Sequence, residues 1–154
     1  GIKFIGSWQN INFIDDRLAP VFKYLTDKSL IFMPHIDHLT QINTTDTPQN
    51  LYKLLKKYPN LKVLAPHMAG GLFLYEGFDS VKPYLKNLRY LTSISSTMYM
   101  VKTGMQLCPE KIIFGTDFPF NHCHNQSNQI EYINTHFSSE LKEKIFKDNY
   151  QNFV

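Results

Sequence analysis

Cysteine is scarce in this chain. Cys108 and Cys123 are the two cysteines in 154 residues, too few for a disulfide framework, which points to an intracellular, cytoplasmic protein. Long hydrophobic runs are lacking as well. The longest uninterrupted apolar stretches, such as residues 30–34, are strand-sized, against the roughly 20 residues that a membrane span needs. No basic, apolar, small-residue leader opens the chain, so no signal peptide is expected. A net charge of +3 is too small to argue for nucleic acid or an anionic membrane as partner. Neither G-x-G-x-x-G nor G-x-x-x-x-G-K-[ST] occurs, which removes support for the two familiar nucleotide-binding loops.

What remains is a composition that folds. Hydrophobic residues make up 43% and charged residues 19%, enough to bury one core, and the length fits one domain. The chain begins on Gly1 and runs straight into an apolar segment. That opening is expected if something was removed upstream or if the chain is a piece of a longer protein.

Apolar runs and helical periodicity alternate. Strands are predicted over residues 2–5, 30–34, 61–65, 90–94 and 111–114. Between them, Leu18, Val21, Phe22 and Leu25 recur at helical spacing, with Asp15 or Asp16 placed to cap the start. Thr47-Pro48 opens the clearest helix: Thr47 is a natural N-cap, and Pro48 gives up an N–H that had no partner. Leu51, Leu54, Leu55 and Tyr58 form its apolar face, and Lys53, Lys56 and Lys57 its solvated one. Further helices are expected over 97–107, 128–136 and 139–149. Strands recurring every 25–30 residues with helices between them indicate βαβ units and an α/β fold with a parallel sheet, about five units in all. Two architectures fit, an open doubly wound sheet or part of a (β/α)₈ barrel.

Polar residues collect just past the strand ends, the side that carries the site in both architectures. His35 follows Pro34, His67 follows Pro66, and Asp117 follows Gly115-Thr116. Imidazole and carboxylate suit a borderline divalent ion such as zinc, which lowers the pKa of water to roughly 7. A carboxylate beside that water can take its proton, and an imidazole off the metal can donate to or polarise a substrate carbonyl or carboxylate. Gly70 and Gly71 either let backbone approach the site or serve a tight turn. Each residue has a plainer alternative: a hydrogen-bonded loop histidine for His35, an N-cap for Asp117. The three together favour a site. Asp37 and His38 could support His35 or be solvated loop residues. His122-Cys123-His124 reads as a loop, His136 as a capping or solvated group, and Met98, Met100 and Met105 as helix packing. Trp8, after the first strand, is a candidate pocket residue.

Several stretches resemble the amidohydrolase-related family, the branch of the amidohydrolase superfamily that includes aminocarboxymuconate-semialdehyde decarboxylase. They are the opening Gly1-Ile2-Lys3-Phe4, the strand ending in His35, Tyr58 to Val63, His67 ahead of Gly70-Gly71, and Pro109 to Pro119 with its Gly115-Thr116-Asp117-Phe118-Pro119 terminus. The resemblance implies a TIM barrel with a mononuclear metal, usually zinc, of which residues 1–154 would form the last five strand-helix units as one incomplete domain. It implies His35 as metal ligand, His67 as catalytic imidazole, and Asp117 as metal ligand and proton shuttle. Lys3 lies on the strand that bears a carbamylated lysine in binuclear relatives. The implied activity is hydrolysis of a C–N, ester or lactone bond; alternatives are non-oxidative decarboxylation of a small aromatic or muconate-type acid, and an inactive remnant. The family's first-strand His-x-His pair is not in this chain, and barrels of this kind take about 250 residues. A missing N-terminal segment or a second copy is therefore expected to complete the barrel around a small carboxylate, amide or lactone substrate.

Overall fold

A computed structural model of the chain describes residues 1–36, 45–93, 98–120 and 123–154, the first four of the last segment by backbone only. Asp37, His38 and His122 lie outside the described residues.

Five strands form one sheet: β1 (Ile2–Phe4), β2 (Ile31–Pro34), β3 (Lys62–Ala65), β4 (Leu88–Leu91) and β5 (Ile112–Ile113). Every pairing is parallel, and the spatial order is the sequence order, β1-β2-β3-β4-β5. A doubly wound sheet reverses direction at a switch point. Here each crossover steps the same way, which with the usual right-handed connection keeps all helices on one face. This is an arc of a (β/α)₈ barrel.

The helices are α1 (Gly6–Gln9), α2 (Ala19–Asp27), α3 (Pro48–Lys57), α4 (Met98–Leu107), α5 (Cys123–His136), α6 (Ser139–Glu143) and α7 (Asn149–Gln151). The start of α3 is as the sequence predicts: the Thr47 side chain accepts from the Asn50 N–H at 3.2 Å, and Pro48 is the first helical residue. Leu51, Leu54 and Leu55 are fully buried, while Lys53, Lys56 and Lys57 stay in water. Asp15 caps the 3₁₀ turn Asp16–Leu18 that leads into α2, accepting from the Arg17 N–H at 2.9 Å.

Period two along the strands sorts side chains onto two faces. Phe32, Val63, Ala65, Leu88, Tyr90 and Ile112 face the helices and pack with Phe22, Leu25, Leu54, Val101 and Ile133 in the main core. Ile31, Met33, Leu64, Leu91 and Ile113 face the inside of the arc, where Phe153 packs against them in a smaller cluster. The Lys62 ammonium donates to the Phe153 carbonyl at 2.8 Å, tying the chain end to this inner face.

Most boundaries agree with the sequence reading to within a residue, and three elements depart further. β4 starts at Leu88, two residues before the predicted strand, because Arg89 interrupts the apolar run although Leu88 and Tyr90 are both buried. α5 starts at Cys123, so Cys123 and His124 belong to a helix and not to a loop. Its first turns are polar, and no apolar stripe appears until Ile130 and Ile133. The helix predicted over 139–149 is interrupted by a wide turn at Lys144–Asp148. There the Ile145 carbonyl accepts from the Phe114 N–H at 2.9 Å, drawing it toward β5 and loosening the helical ladder. Among the described residues, no helix is long and apolar enough to cross a membrane.

Candidate functional site

The open, C-terminal end of the sheet gathers the polar residues. The His35 N–H donates to the Phe4 carbonyl at 2.6 Å, extending the β1–β2 ladder one residue past Pro34. Alternation from Ile31 and Met33 then directs His35 to the inner side of the arc. His35 is half-buried.

His67 follows β3 through Pro66 and begins a left-handed backbone run. His67, Met68, Ala69, Gly70 and Gly71 have φ of 56°, 52°, 51°, 59° and 95°. Left-handed backbone costs an L-residue about 1–2 kcal/mol, so the surroundings must enforce it. Met68 and Ala69 are fully buried. The His67 N–H donates to Ser93 Oγ at 3.3 Å, and His67 Nδ1 lies 2.9 Å from the Ser93 carbonyl. A carbonyl offers only lone pairs, so Nδ1 carries the proton there. Of the two roles open to Gly70 and Gly71, the tight turn is the one the backbone shows. The rings of His35 and His67 stand edge to face, centroids 5.1 Å apart and planes at 79°.

Asp117 is reached from β5 by Phe114, Gly115 and Thr116. It too is left-handed, at φ 60°, and its carbonyl accepts from the Phe120 N–H at 2.9 Å. The Phe118–Pro119 peptide is cis. Lys3 pairs in register with Met33 and so shares the inner face with it. Desolvation lowers the Lys3 pKa below its ordinary value, opposed by the negative charges of Asp117 and, next, Asp46. The first strand's cation and the last strand's carboxylate therefore share one electrostatic neighbourhood.

The sheet's curl makes that possible. In a flat sheet β1 and β5 would stand four spacings apart, roughly 19 Å. The loops beyond them meet: Trp8 and Phe120 make an edge contact with centroids 6.3 Å apart.

Asp46 is the residue that sequence reasoning missed. It is fully buried, and its carboxylate accepts from the N–H groups of Gly6 and Ser7 at 2.9 and 3.0 Å, fixing the turn after β1. The glycine closing the first apolar run was the available signal, since a Cβ at Gly6 would lie 2.5 Å from Asp46 Oδ1.

The structure thus brings His35 and His67 into ring contact and sets Asp117 at the same end of the sheet, against the charge of Lys3. In kind, imidazole and carboxylate suit a divalent ion. In number they fall short: among the described residues, no group of three or more His, Cys, Asp or Glu side chains could hold a metal ion. A tetrahedral site needs donors beyond His35 and Asp117. His136 is exposed and bonded within its own helix, its Nδ1 3.0 Å from the Tyr132 carbonyl.

No family model matches the sequence, and no curated protein is significantly similar to it. Solved structures are similar in fold, and decarboxylases and amidohydrolases are among them. The 5-carboxyvanillate decarboxylase of Sphingomonas paucimobilis is 14% identical, with a TM-score of 0.73 over 94% of this chain and 55% of its own. A dihydroxybenzoic acid decarboxylase from Polaromonas sp. JS666, with bound manganese and the inhibitor 2-nitroresorcinol, is 18% identical, with a TM-score of 0.73 over 93% of this chain and 55% of its own. An amidohydrolase from Burkholderia multivorans with bound zinc is 9% identical, with a TM-score of 0.63 over 91% of this chain and 58% of its own. A TIM-barrel protein is among the other similar structures. This chain spans little more than half the length of the first of these proteins, and the likeness is one of fold.

Proposed function

We propose that these residues form the C-terminal part of a metal-dependent enzyme of the amidohydrolase type, acting on a small carboxylate, amide or lactone. The observation that carries this reading is the meeting of His35 and His67 at the mouth of a sequentially ordered parallel arc that also holds Asp117. His35 and Asp117 would hold a divalent ion, zinc in the first instance, with the remaining donors supplied by a preceding segment or a second copy that completes the barrel. A bound ion of this class polarises a carbonyl or carboxylate and makes water acidic enough to ionise near neutral pH.

The chain's own groups have distinct tasks in this reading. Asp117, close to the charge of Lys3, accepts a proton from the attacking water. His67 has its Nδ1 proton engaged by the Ser93 carbonyl, so Nε2 is the nitrogen that takes up a proton and passes it to the departing atom.

A second reading, decarboxylation, is favoured by similar structures that are decarboxylases of aromatic acids, the two named above among them. There the proton carried by His67 or Asp117 goes to the ring carbon as carbon dioxide leaves. Metal analysis, with turnover of carboxylated aromatic acids set against lactones and amides, separates the two. Stoichiometric metal that falls at least tenfold in affinity in His35→Ala and Asp117→Asn supports the site. Substoichiometric metal and no rate change in His35→Ala would indicate an inactive remnant instead.

A further inference from the structure

We infer that the consecutive residues Thr92 and Ser93 position His67 and Asp117 relative to each other. The catalytic meaning of this inference rests on the reading above; the geometry stands without it. β4 lies between β3 and β5, and the two residues just past its end, Thr92 and Ser93, reach sideways to both neighbours.

Toward β5, the Thr92 N–H donates to the Ile113 carbonyl at 3.1 Å. The Thr92 hydroxyl then continues the ladder where backbone pairing ends. It accepts from the Gly115 N–H at 3.1 Å and donates to the Gly115 carbonyl at 3.1 Å. One side chain thus satisfies both polar groups of a residue only two positions before Asp117. The backbone at Gly115 passes close over Leu91, since a Cβ there would lie 3.1 Å from Leu91 Cδ2.

Toward β3, Ser93 takes two polar groups of His67: Oγ accepts from its N–H, and the carbonyl faces Nδ1. Thr92 and Ser93 are both buried. Valine would fill the space of Thr92 equally well in a strand, so packing does not call for the hydroxyl. The hydrogen bonds of this dipeptide go to the backbone leading to one candidate catalytic group and to the backbone and ring of the other. A displacement of either by 1 Å would be costly to chemistry, which depends on reacting atoms being held in line. Thr92 and Ser93 are positioning residues, since they act through His67 and Asp117.

The test uses the full 154-residue chain, isotopically labelled, as wild type, Thr92→Val, Thr92→Ser and Ser93→Ala. Long-range nitrogen–proton NMR reads the His67 ring, and carbon-detected NMR reads the Asp117 carboxyl. Wild type is expected to show His67 protonated on Nδ1. Thr92→Val is expected to move the Asp117 carboxyl signal, and Ser93→Ala the His67 ring signals. Thr92→Ser, which keeps the hydroxyl, leaves both at their wild-type positions. Changes confined to Gly115 in Thr92→Val, with the Asp117 carboxyl unmoved, would overturn the inference. So would a His67 ring unaffected in Ser93→Ala. Should Thr92→Val fail to fold, Thr92→Ser and Ser93→Ala carry the test, and a shifted Asp117 carboxyl in Thr92→Ser would count against it. Manganese titration of the same proteins tests the underlying reading separately. Uptake that falls about tenfold in Thr92→Val and recovers in Thr92→Ser fits a residue supporting a metal ligand. A wild-type chain that takes up no manganese shows that His35 and Asp117 do not hold the ion without the missing donors, while the NMR signals still decide the positioning.

Discussion

Trp8 and Phe120 come from beyond the first and last strands of the sheet, and their rings meet at 6.3 Å. Both are largely in water, 72% and 71% exposed, so the contact holds little of the fold together. It reports instead on how far the arc is curled. Trp8 is the sole tryptophan, which makes its fluorescence specific for the mouth. Phe120→Ala is expected to change Trp8 emission and raise its quenching by acrylamide, at a stability cost of no more than about 1 kcal/mol. Unchanged quenching would mean that the two loops do not meet in solution.

A buried electrostatic group lies away from the mouth. Lys111 donates to Glu76 Oε1 and Oε2 at 2.8 and 2.9 Å and to the Leu85 carbonyl at 3.0 Å, while the Tyr90 hydroxyl donates to Glu76 Oε1 at 2.6 Å. Removing one partner strands the other charge in a dry interior. Lys111→Ala is expected to destabilise the fold by about 3–5 kcal/mol in urea unfolding. The triple change Lys111→Met, Glu76→Leu, Tyr90→Phe removes the three side-chain partners together, leaving the Leu85 carbonyl without this donor, and should recover part of that loss. A single variant as stable as wild type would show that water reaches this site.

The same region sets the alkaline limit. Burial, with the Glu76 charge second, pushes the Cys108 thiol up to about 12 and the Tyr90 phenol well above its ordinary value. Above pH 9, unfolded chains lose these protons while the folded protein keeps them. The unfolded state then binds fewer protons, so stability falls as pH rises, by up to about 1.4 kcal/mol per pH unit for each group. Both contributions are fully present below pH 9. Urea titrations between pH 8 and 11 should show the decline, and Cys108→Ala should make it shallower. A flat profile would contradict the burial of both groups.

Gly6 and Asp46 make a fourth test. An added Cβ would sit 2.5 Å from Asp46 Oδ1 and 2.8 Å from the Ile11 carbonyl. Gly6→Ala is therefore expected to cost about 1–3 kcal/mol by overpacking. Asp46→Ala leaves the Gly6 and Ser7 N–H groups without that acceptor, with a similar or larger loss. Both variants should also disturb Trp8 emission, because Trp8 rides on α1, the turn that Asp46 holds. Normal Trp8 emission in both would separate that turn from the carboxylate.

Local chemistry was enough to read the strand-helix alternation, α3 with its Thr47 cap, and the three polar residues at strand ends. A cap acts over three residues, and an apolar face over one or two turns, so both are written in neighbouring positions. The choice between a doubly wound sheet and a barrel was not. It turned on the spatial order of the strands, which depends on where each crossover lands and not on any one element's composition. The misplaced start of α5 and the interrupted run at Arg89 have a related cause. Apolar periodicity is silent where a helix opens on polar residues, or where a strand turns a long cation to its other face.

The sequence by itself determined that this protein alternates strands with helices and sets His35, His67 and Asp117 just past three of those strands. Short-range hydrogen bonding and side-chain periodicity suffice for that. Only the tertiary structure decided that the sheet curls in sequential order, that His35 and His67 touch, and that Ser93, Thr92 and Asp46 hold the groups around them. Those contacts join residues 23 to 40 positions apart, and the free energy that selects them comes from burying a shared core, which no local stretch contains.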